Sequence, residues 1–371
     1  MKHADEYRNP AVAQRLIADI RTLADERADG PVRIMEFCGG HTHAILRFGI
    51  RQALGPGVRM LSGPGCPVCV TADADIDRAI ALARMPGVAL ATFGDMVRVP
   101  GSEMSLQEAR AAGGDVRIVY SALDAVALAQ KNPELKVVML GIGFETTAPG
   151  VAASILQARE LGLGNYYVLS LHKLTPPATR GILDAGEVRV DAILGPGHVT
   201  AIIGANAWRF LADDYGVPCA VSGFEPLDML QSIKTLVQAC REGKADVFNV
   251  YGRGVTAEGN LVAQRLLERV FVVGPALWRG LGEIPASGLL LRDEFADYDA
   301  ARVFALSARE GSGHSTHKGS ACRCGEVLRG VIEPPECPLF RRVCTPARPV
   351  GPCMVSAEGA CAAHYRYGGA L

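Results

Sequence analysis

The sequence predicts an α/β protein built on two parallel-sheet domains and completed by a small cysteine-rich unit. Three observations carry this reading. Short apolar runs rich in branched residues alternate with helical patterns through most of the chain. Glycine-containing turns follow those runs. Finally, Cys322, Cys324, Cys337, Cys344, Cys353 and Cys361 crowd into the last fifth of the 371 residues.

The elements follow in order. Val12, Leu16, Ile17, Ile20 and Leu23 recur at helical spacing, which predicts a helical segment over residues 1–30, expected to pack on the C-terminal unit. This stretch lacks the continuous apolar core of a signal peptide. A first α/β domain is expected over residues 31–131, with strands at 32–37, 58–61, 88–92 and 116–120 and helices at 42–54, 76–83, 105–112 and 122–130. Asn132-Pro133 then breaks the pattern, because the residue before proline is pushed out of helical conformation. A second domain over 132–270 has strands expected at 136–141, 165–171, 192–194, 218–221 and 246–250. Beyond Phe271, Gly280, Gly282, Pro285 and Gly288 interrupt the alternation, and residues 311–320 are small and polar, so a third unit is placed over 271–371. Turns recur: Gly-Pro-Gly stands at 63–65 and 195–197, and Gly-Phe-Glu at 143–145 and 223–225. Such turns are expected at the carboxyl ends of parallel strands, where open α/β sheets place ligands.

Composition narrows the function. A length of 371 residues exceeds what one core ordinarily supports. With 49% hydrophobic residues and a formal net charge of -1, nothing points to nucleic acid, and no stretch reads as membrane-spanning. The expectation is a cytoplasmic protein, where clustered cysteines bind metal or do redox chemistry more often than they staple a fold.

Six thiols in a proline-rich tail suit an iron-sulfur cluster, since Pro334, Pro335, Pro338, Pro346, Pro349 and Pro352 keep the segment out of regular structure and leave metal to order it. Four thiolates suffice for a four-iron cluster. A structural zinc is the alternative, although zinc more often uses C-x₂-C pairs, and plain disulfides are a third. Spacing alone does not choose the ligands. The choice falls on Cys322, Cys324, Cys337 and Cys344, which leaves Cys353 and Cys361 as a possible redox pair.

Cys66-Pro67-Val68-Cys69 is a C-x-x-C motif, able to form a disulfide or capture metal, and a helix starting there would favour the thiolate. Its bland reading is a pair of small buried hydrophobes. Cys38-Gly39-Gly40-His41-Thr42-His43 follows an apolar strand, so Cys38 should emerge at the sheet's carboxyl edge with His41 close by. Soft sulfur with imidazole suits a transition metal such as iron. Thr42 and His43 can instead donate to a bound anion at the helix start, or serve only structure. Glu145, Thr146 and Thr147 follow the strand at 136–141 and either cap the helix opened by Pro149 or line the facing cleft. No Walker lysine follows either Gly-Pro-Gly turn, which disfavours nucleotide binding.

Phe-Cys-Gly-Gly-His-Thr-His at 37–43, Gly-Pro-Gly-Cys-Pro-Val-Cys-Val-Thr at 63–71, Gly-Phe-Glu-Thr-Thr-Ala-Pro at 143–149 and Gly-Pro-Cys-Met-Val-Ser-x-Glu-Gly-x-Cys at 351–361 resemble the HypD family of hydrogenase maturation factors. The likeness spans almost the whole chain; only Ala363-His364-Tyr365 matches loosely. The resemblance implies two Rossmann-like domains and a third holding a 4Fe-4S cluster. It further implies a complex with a HypC-type chaperone, on which the iron centre of nickel-iron hydrogenases acquires cyanide and carbonyl ligands, cyanide arriving from a HypE-type donor. The hydrogenase large subunit is then served indirectly. By the same resemblance Cys38 ligates the iron, His41 and Thr42 flank it, Cys66 and Cys69 relay electrons, and Glu145, Thr146 and Thr147 face the cleft.

Two functions from different classes therefore stand side by side. One is an assembly scaffold with redox activity and no defined free-standing turnover reaction. The other is an iron-sulfur-dependent disulfide reductase with Cys66 and Cys69 facing its substrate, which leaves the Cys-Gly-Gly-His motif without a role.

Overall fold

The computed structural model describes residues 5–25, 29–306 and 321–369. Residues 311–320, the small polar stretch inside the expected third unit, lie outside them.

Among the described residues, nine parallel strands form two sheets. They are β1 (Val32–Glu36), β2 (Val58–Ser62), β3 (Val88–Thr92), β4 (Val116–Ile118), β5 (Lys136–Gly141), β6 (Tyr166–Ser170), β7 (Ala192–Pro196), β8 (Cys219–Ser222) and β9 (Val247–Asn249). The larger sheet runs β2-β1-β7-β8-β9 and the smaller β4-β3-β5-β6. Strand β1 pairs with β2 from Val32↔Val58 and with β7 from Ile34↔Ala192. An antiparallel hairpin, β10 (Phe271–Trp278) and β11 (Gly282–Leu291), forms a third, two-stranded sheet.

The α/β class and the parallel sheets agree with the sequence reading; the division of the chain at 131/132 does not. The larger sheet takes β1 and β2 from before that point and β7, β8 and β9 from after it, while β5 and β6 join β3 and β4. Parallel partners are joined through long crossovers, so strands adjacent in sequence need not share a sheet. The N-terminal segment is also placed differently. Helix Pro10–Asp25 lies on helices Pro226–Glu242 and Ile50–Leu54 instead of the C-terminal unit. Lys234 Nζ reaches Asp19 Oδ2 at 2.6 Å, Arg21 Nε donates to the Ala53 carbonyl at 2.9 Å, and Ile20 and Ala24 enter the core beside Leu54. The helix expected over 42–54 is two, Gly39–Arg47 and Ile50–Leu54, broken where Gly49 takes a left-handed φ of 65°.

Side chains alternating along each strand build separate cores. In the larger sheet Val32 and Ile34 face helices Pro10–Asp25 and Pro226–Glu242, while Met35 and Phe37 face inward. In the smaller sheet Val137 and Met139 face helices Ala122–Lys131 and Ala148–Glu160, while Val138 and Leu140 face the same inner core as Met35. That inner core also takes in Trp278 of the hairpin and five of the six tail cysteines as buried members. The tail itself is short turns and two helices, Cys324–Leu328 and Ala360–Tyr367, the second lying on Gly39–Arg47. Among the described residues, no helix is long and apolar enough to cross a membrane.

Candidate functional site

All strands of the larger sheet point the same way, so the loops after β1, β2, β7 and β8 meet at one edge. Cys38 occupies the N-cap position of helix Gly39–Arg47 in extended conformation. Its amide donates to Glu36 Oε2 at 3.0 Å, and the Thr42 hydroxyl donates to the other oxygen of the same carboxylate. Burial lifts Glu36 to about 8 against the hydrogen bonds from Thr42, Cys38 and Ser62. Cys38 keeps part of its surface exposed but its thiol is pushed up to about 12, first by burial and then by the charges of Glu358 and Glu36.

His41 is fully buried. Its Nε2 donates to the Gly223 carbonyl at 3.0 Å, which fixes the tautomer and leaves Nδ1 as an acceptor without a partner among the described residues. Burial lowers it to about 4, so the ring is neutral at physiological pH. Phe224, from the loop after β8, stacks on His41 at 4.5 Å and on His198, in the first turn of helix Gly197–Ile203 after β7, at 3.9 Å. His43 turns away from Cys38: its Nδ1 donates to the Ala357 carbonyl at 3.3 Å and its ring meets Tyr367 edge-on.

The second glycine-rich turn lies against the first, the Gly39 amide donating to the Gly65 carbonyl at 3.0 Å. Cys66 and Cys69 form a disulfide, and the Cys66 sulfur accepts from the Cys69 amide at the start of the short helix Pro67–Val70. Both are buried, at 4% and 0% exposure. Across from them the tail closes in. The Cys69 sulfur stands 3.9 Å from the Pro352 carbonyl, one residue before Cys353, and Glu358 packs so closely on Gly39 that a Cβ there would meet Glu358 Cβ at 2.5 Å.

All six tail cysteines line one cavity, together with Val327, Phe340, Gly351 and Met354. Thiol hydrogen bonds link Cys322 to Cys324, Cys324 to Cys353 and Cys353 to Cys361. Cys353 and Cys361 are free thiols and are not set apart from the other four. Among the described residues, no three His, Cys, Asp or Glu side chains stand as a ready-made site for one metal ion.

The Gly-Phe-Glu-Thr-Thr motif departs from the cleft-lining expectation. Glu145 is buried and accepts from the Thr175 amide at 2.7 Å and hydroxyl at 2.8 Å, capping helix Thr175–Ala185 instead of the helix that Pro149 enters. Burial lifts it to about 7. Thr147 donates to the Ile142 carbonyl at 3.1 Å, which closes its own turn, and Thr146 is exposed. Phe144 is the member that points inward, stacking on Trp278 at 6.0 Å. The sequence reading passed over Glu36, His198, Phe224 and Glu358 as site residues. A lone carboxylate closing an apolar strand was the available signal for Glu36, and Glu358 stands inside the tail motif already singled out.

Comparison with known proteins identifies the family. The model of the family described as "HypD: Hydrogenase formation hypA family" matches residues 11–368. The hydrogenase maturation factor HypD of Azotobacter vinelandii is 49% identical over 375 residues, covering 99% of this chain and 97% of the relative. That of Rhodobacter capsulatus is 46% identical, covering 100% of this chain and 99% of the relative. That of Escherichia coli K12 is 45% identical, covering 99% and 98%. With matches running nearly end to end, this chain belongs to the HypD family of hydrogenase maturation factors.

Proposed function

We propose that the protein is the scaffold on which the iron of a nickel-iron hydrogenase acquires its two cyanides and one carbonyl, held through Cys38 in complex with a HypC-type chaperone and supplied with cyanide by a HypE-type donor. The observation that carries this is the pairing, at one sheet edge, of the partly exposed Cys38 thiol with a fully buried His41 whose Nδ1 is an unsatisfied acceptor. Sulfur and neutral imidazole are the donors a soft transition ion takes. Cys38 must lose its proton to bind, and the cation itself supplies the charge that makes this possible in a site lined by Glu36 and Glu358.

A resident 4Fe-4S cluster fits the tail cavity. Six sulfur donors line an otherwise apolar space, the donor set an iron-sulfur cluster takes. Cys322, Cys324, Cys337 and Cys344 would hold it, and it would supply single electrons. Cys66 and Cys69 stand between that cavity and Cys38, where a dithiol that opens and closes can pass reducing equivalents on.

Burial argues against the disulfide reductase. A substrate disulfide must approach one sulfur directly, and neither Cys66 nor Cys69 offers surface to it.

The test is infrared spectroscopy of the anaerobically purified protein, co-expressed with its maturation partners, as wild type and Cys38→Ala. Cyanide and carbonyl bands in the wild type that vanish in the variant, with iron-sulfur absorbance retained in both, are the expected result. Absorbance without such bands in the wild type would turn the assignment towards the reductase.

A further inference from the structure

The tip of the β10–β11 hairpin stands between the dithiol turn and the cysteine cavity, and it carries a buried cation. Arg279 is 1% exposed. Its amide donates to the Val70 carbonyl at 2.8 Å and its Nε to the Thr71 carbonyl at 2.7 Å, at the carboxyl end of the helix that begins beside Cys66. Nη2 donates to the Pro100 carbonyl at 3.2 Å, and Nη1 pairs with Asp73. The next residue faces the tail: a Cβ on Gly280 would fall 2.4 Å from the Cα of Gly325, the neighbour of Cys324. One turn therefore touches both cysteine-bearing segments.

Neutral donors can satisfy two carbonyls, and burying a guanidinium is costly unless every bond is made. What arginine adds is a fixed charge. The fold places that charge one residue from Gly280, whose backbone lies against Gly325 beside Cys324 of the cavity lining.

We propose that Arg279 is a positioning residue of fixed charge: it clamps the Cys66–Cys69 turn to the Cys322–Cys324 segment and raises the reduction potential of the redox group held in the cysteine cavity. This rests on the reading that the cavity holds an iron-sulfur cluster. Reduction adds one electron there, and a nearby cation favours the more negative state; the Asp73 carboxylate opposes it in part.

The experiment is a dithionite titration of the cluster-loaded full chain, followed by visible absorbance and electron paramagnetic resonance, for wild type, Arg279→Gln, Arg279→Lys and Asp73→Asn. Arg279→Gln should make reduction about tenfold less favourable, ~59 mV for a one-electron couple. Arg279→Lys, which keeps the charge and loses the fork, should stay within about threefold of wild type. Asp73→Asn should move the potential upward. Equal shifts in the Lys and Gln variants, no shift in either, or a downward shift in Asp73→Asn would overturn the proposal. Should Arg279→Gln fail to fold or to take up iron, the upward shift of Asp73→Asn with an unmoved Arg279→Lys still decides it. A wild type without iron-sulfur absorbance would overturn the cofactor reading itself, and this inference with it.

Discussion

Gly65 lies directly against Cys38: a Cβ on residue 65 would fall 2.2 Å from the Cys38 amide nitrogen and 2.5 Å from its Cα. The atoms in the way are backbone, which no rotamer change can move aside. Gly65→Ala should therefore cost about 3 kcal/mol or more, the upper end of overpacking penalties. Gly150 has open space around it and sits in the first turn of helix Ala148–Glu160, so Gly150→Ala should gain about 0.5 kcal/mol. Denaturant midpoints of the two variants measure both; a Gly65→Ala protein as stable as wild type would mean the two cysteine turns are not locked together.

The Glu36 carboxylate holds the Cys-Gly-Gly-His turn from below through Thr42 and the Cys38 amide. Thr42→Val keeps the shape and deletes the hydroxyl, leaving one oxygen of a buried carboxyl group without its donor. The expected loss is about 1–3 kcal/mol, whereas Thr42→Ser, which keeps the hydroxyl, should lose about 1 or less. Equal losses in the two variants, by denaturant unfolding, would show that the methyl group and not the hydrogen bond matters.

What the sequence made legible follows what local chemistry encodes. The strand at 88–92 is found where expected because Val88, Ala89, Leu90 and Ala91 are buried on both faces, and such a run has few alternatives. The pairing of Ile34 with Ala192 was not legible, since backbone hydrogen bonds carry no residue code and only the assembled faces select the partner. Cys38 and the C-x-x-C turn were legible because glycines flank them where backbones touch. Glu145 misled because a carboxylate before a helix reads as that helix's cap, while its true partner, Thr175, is thirty residues on. The choice among six cysteines stayed open for a physical reason: all six share one cavity.

Buried titrating groups set a stability maximum near pH 6.5. Burial lowers His41 to about 4 and His172 and His364 to about 3 from 6.5, so below pH 6.5 the unfolded chain binds protons that the native state refuses, and stability falls with acid. Burial raises Glu36 to about 8 and Glu145 to about 7 from 4.5, so between pH 4.5 and those values the native state holds protons the unfolded chain has lost, and stability falls as pH rises. Three histidines outweigh two glutamates between pH 4.5 and 6.5, leaving a shallow acid slope that steepens below 4.5. Each uncompensated proton contributes about 1.4 kcal/mol per pH unit at most. Urea unfolding between pH 4 and 8.5 measures the profile, and His172→Gln should flatten its acid limb. A maximum displaced to pH 8 or above would contradict the assignment.

Phe224 stands on the same side of Gly40 as the Cys38 sulfur. A Cβ on Gly40 would touch the Phe224 ring at 3.1 Å and the Cys38 sulfur at 3.5 Å, so ring and thiol border the same small space. With its thiol pushed up to about 12, wild-type Cys38 should alkylate slowly at pH 8, and its rate should keep climbing past pH 9, where an ordinary thiol levels off. Phe224→Ala opens that space and relieves the burial that raises the thiol, so the rate at pH 8 should increase several-fold; Phe224→Leu, which keeps an apolar side chain there, should stay close to wild type. Iodoacetamide labelling read on the peptide containing Cys38 separates it from the other cysteines. A wild-type rate that levels by pH 9 would mean that Cys38 is an ordinary thiol, and the metal ion would then not be needed to draw off its proton.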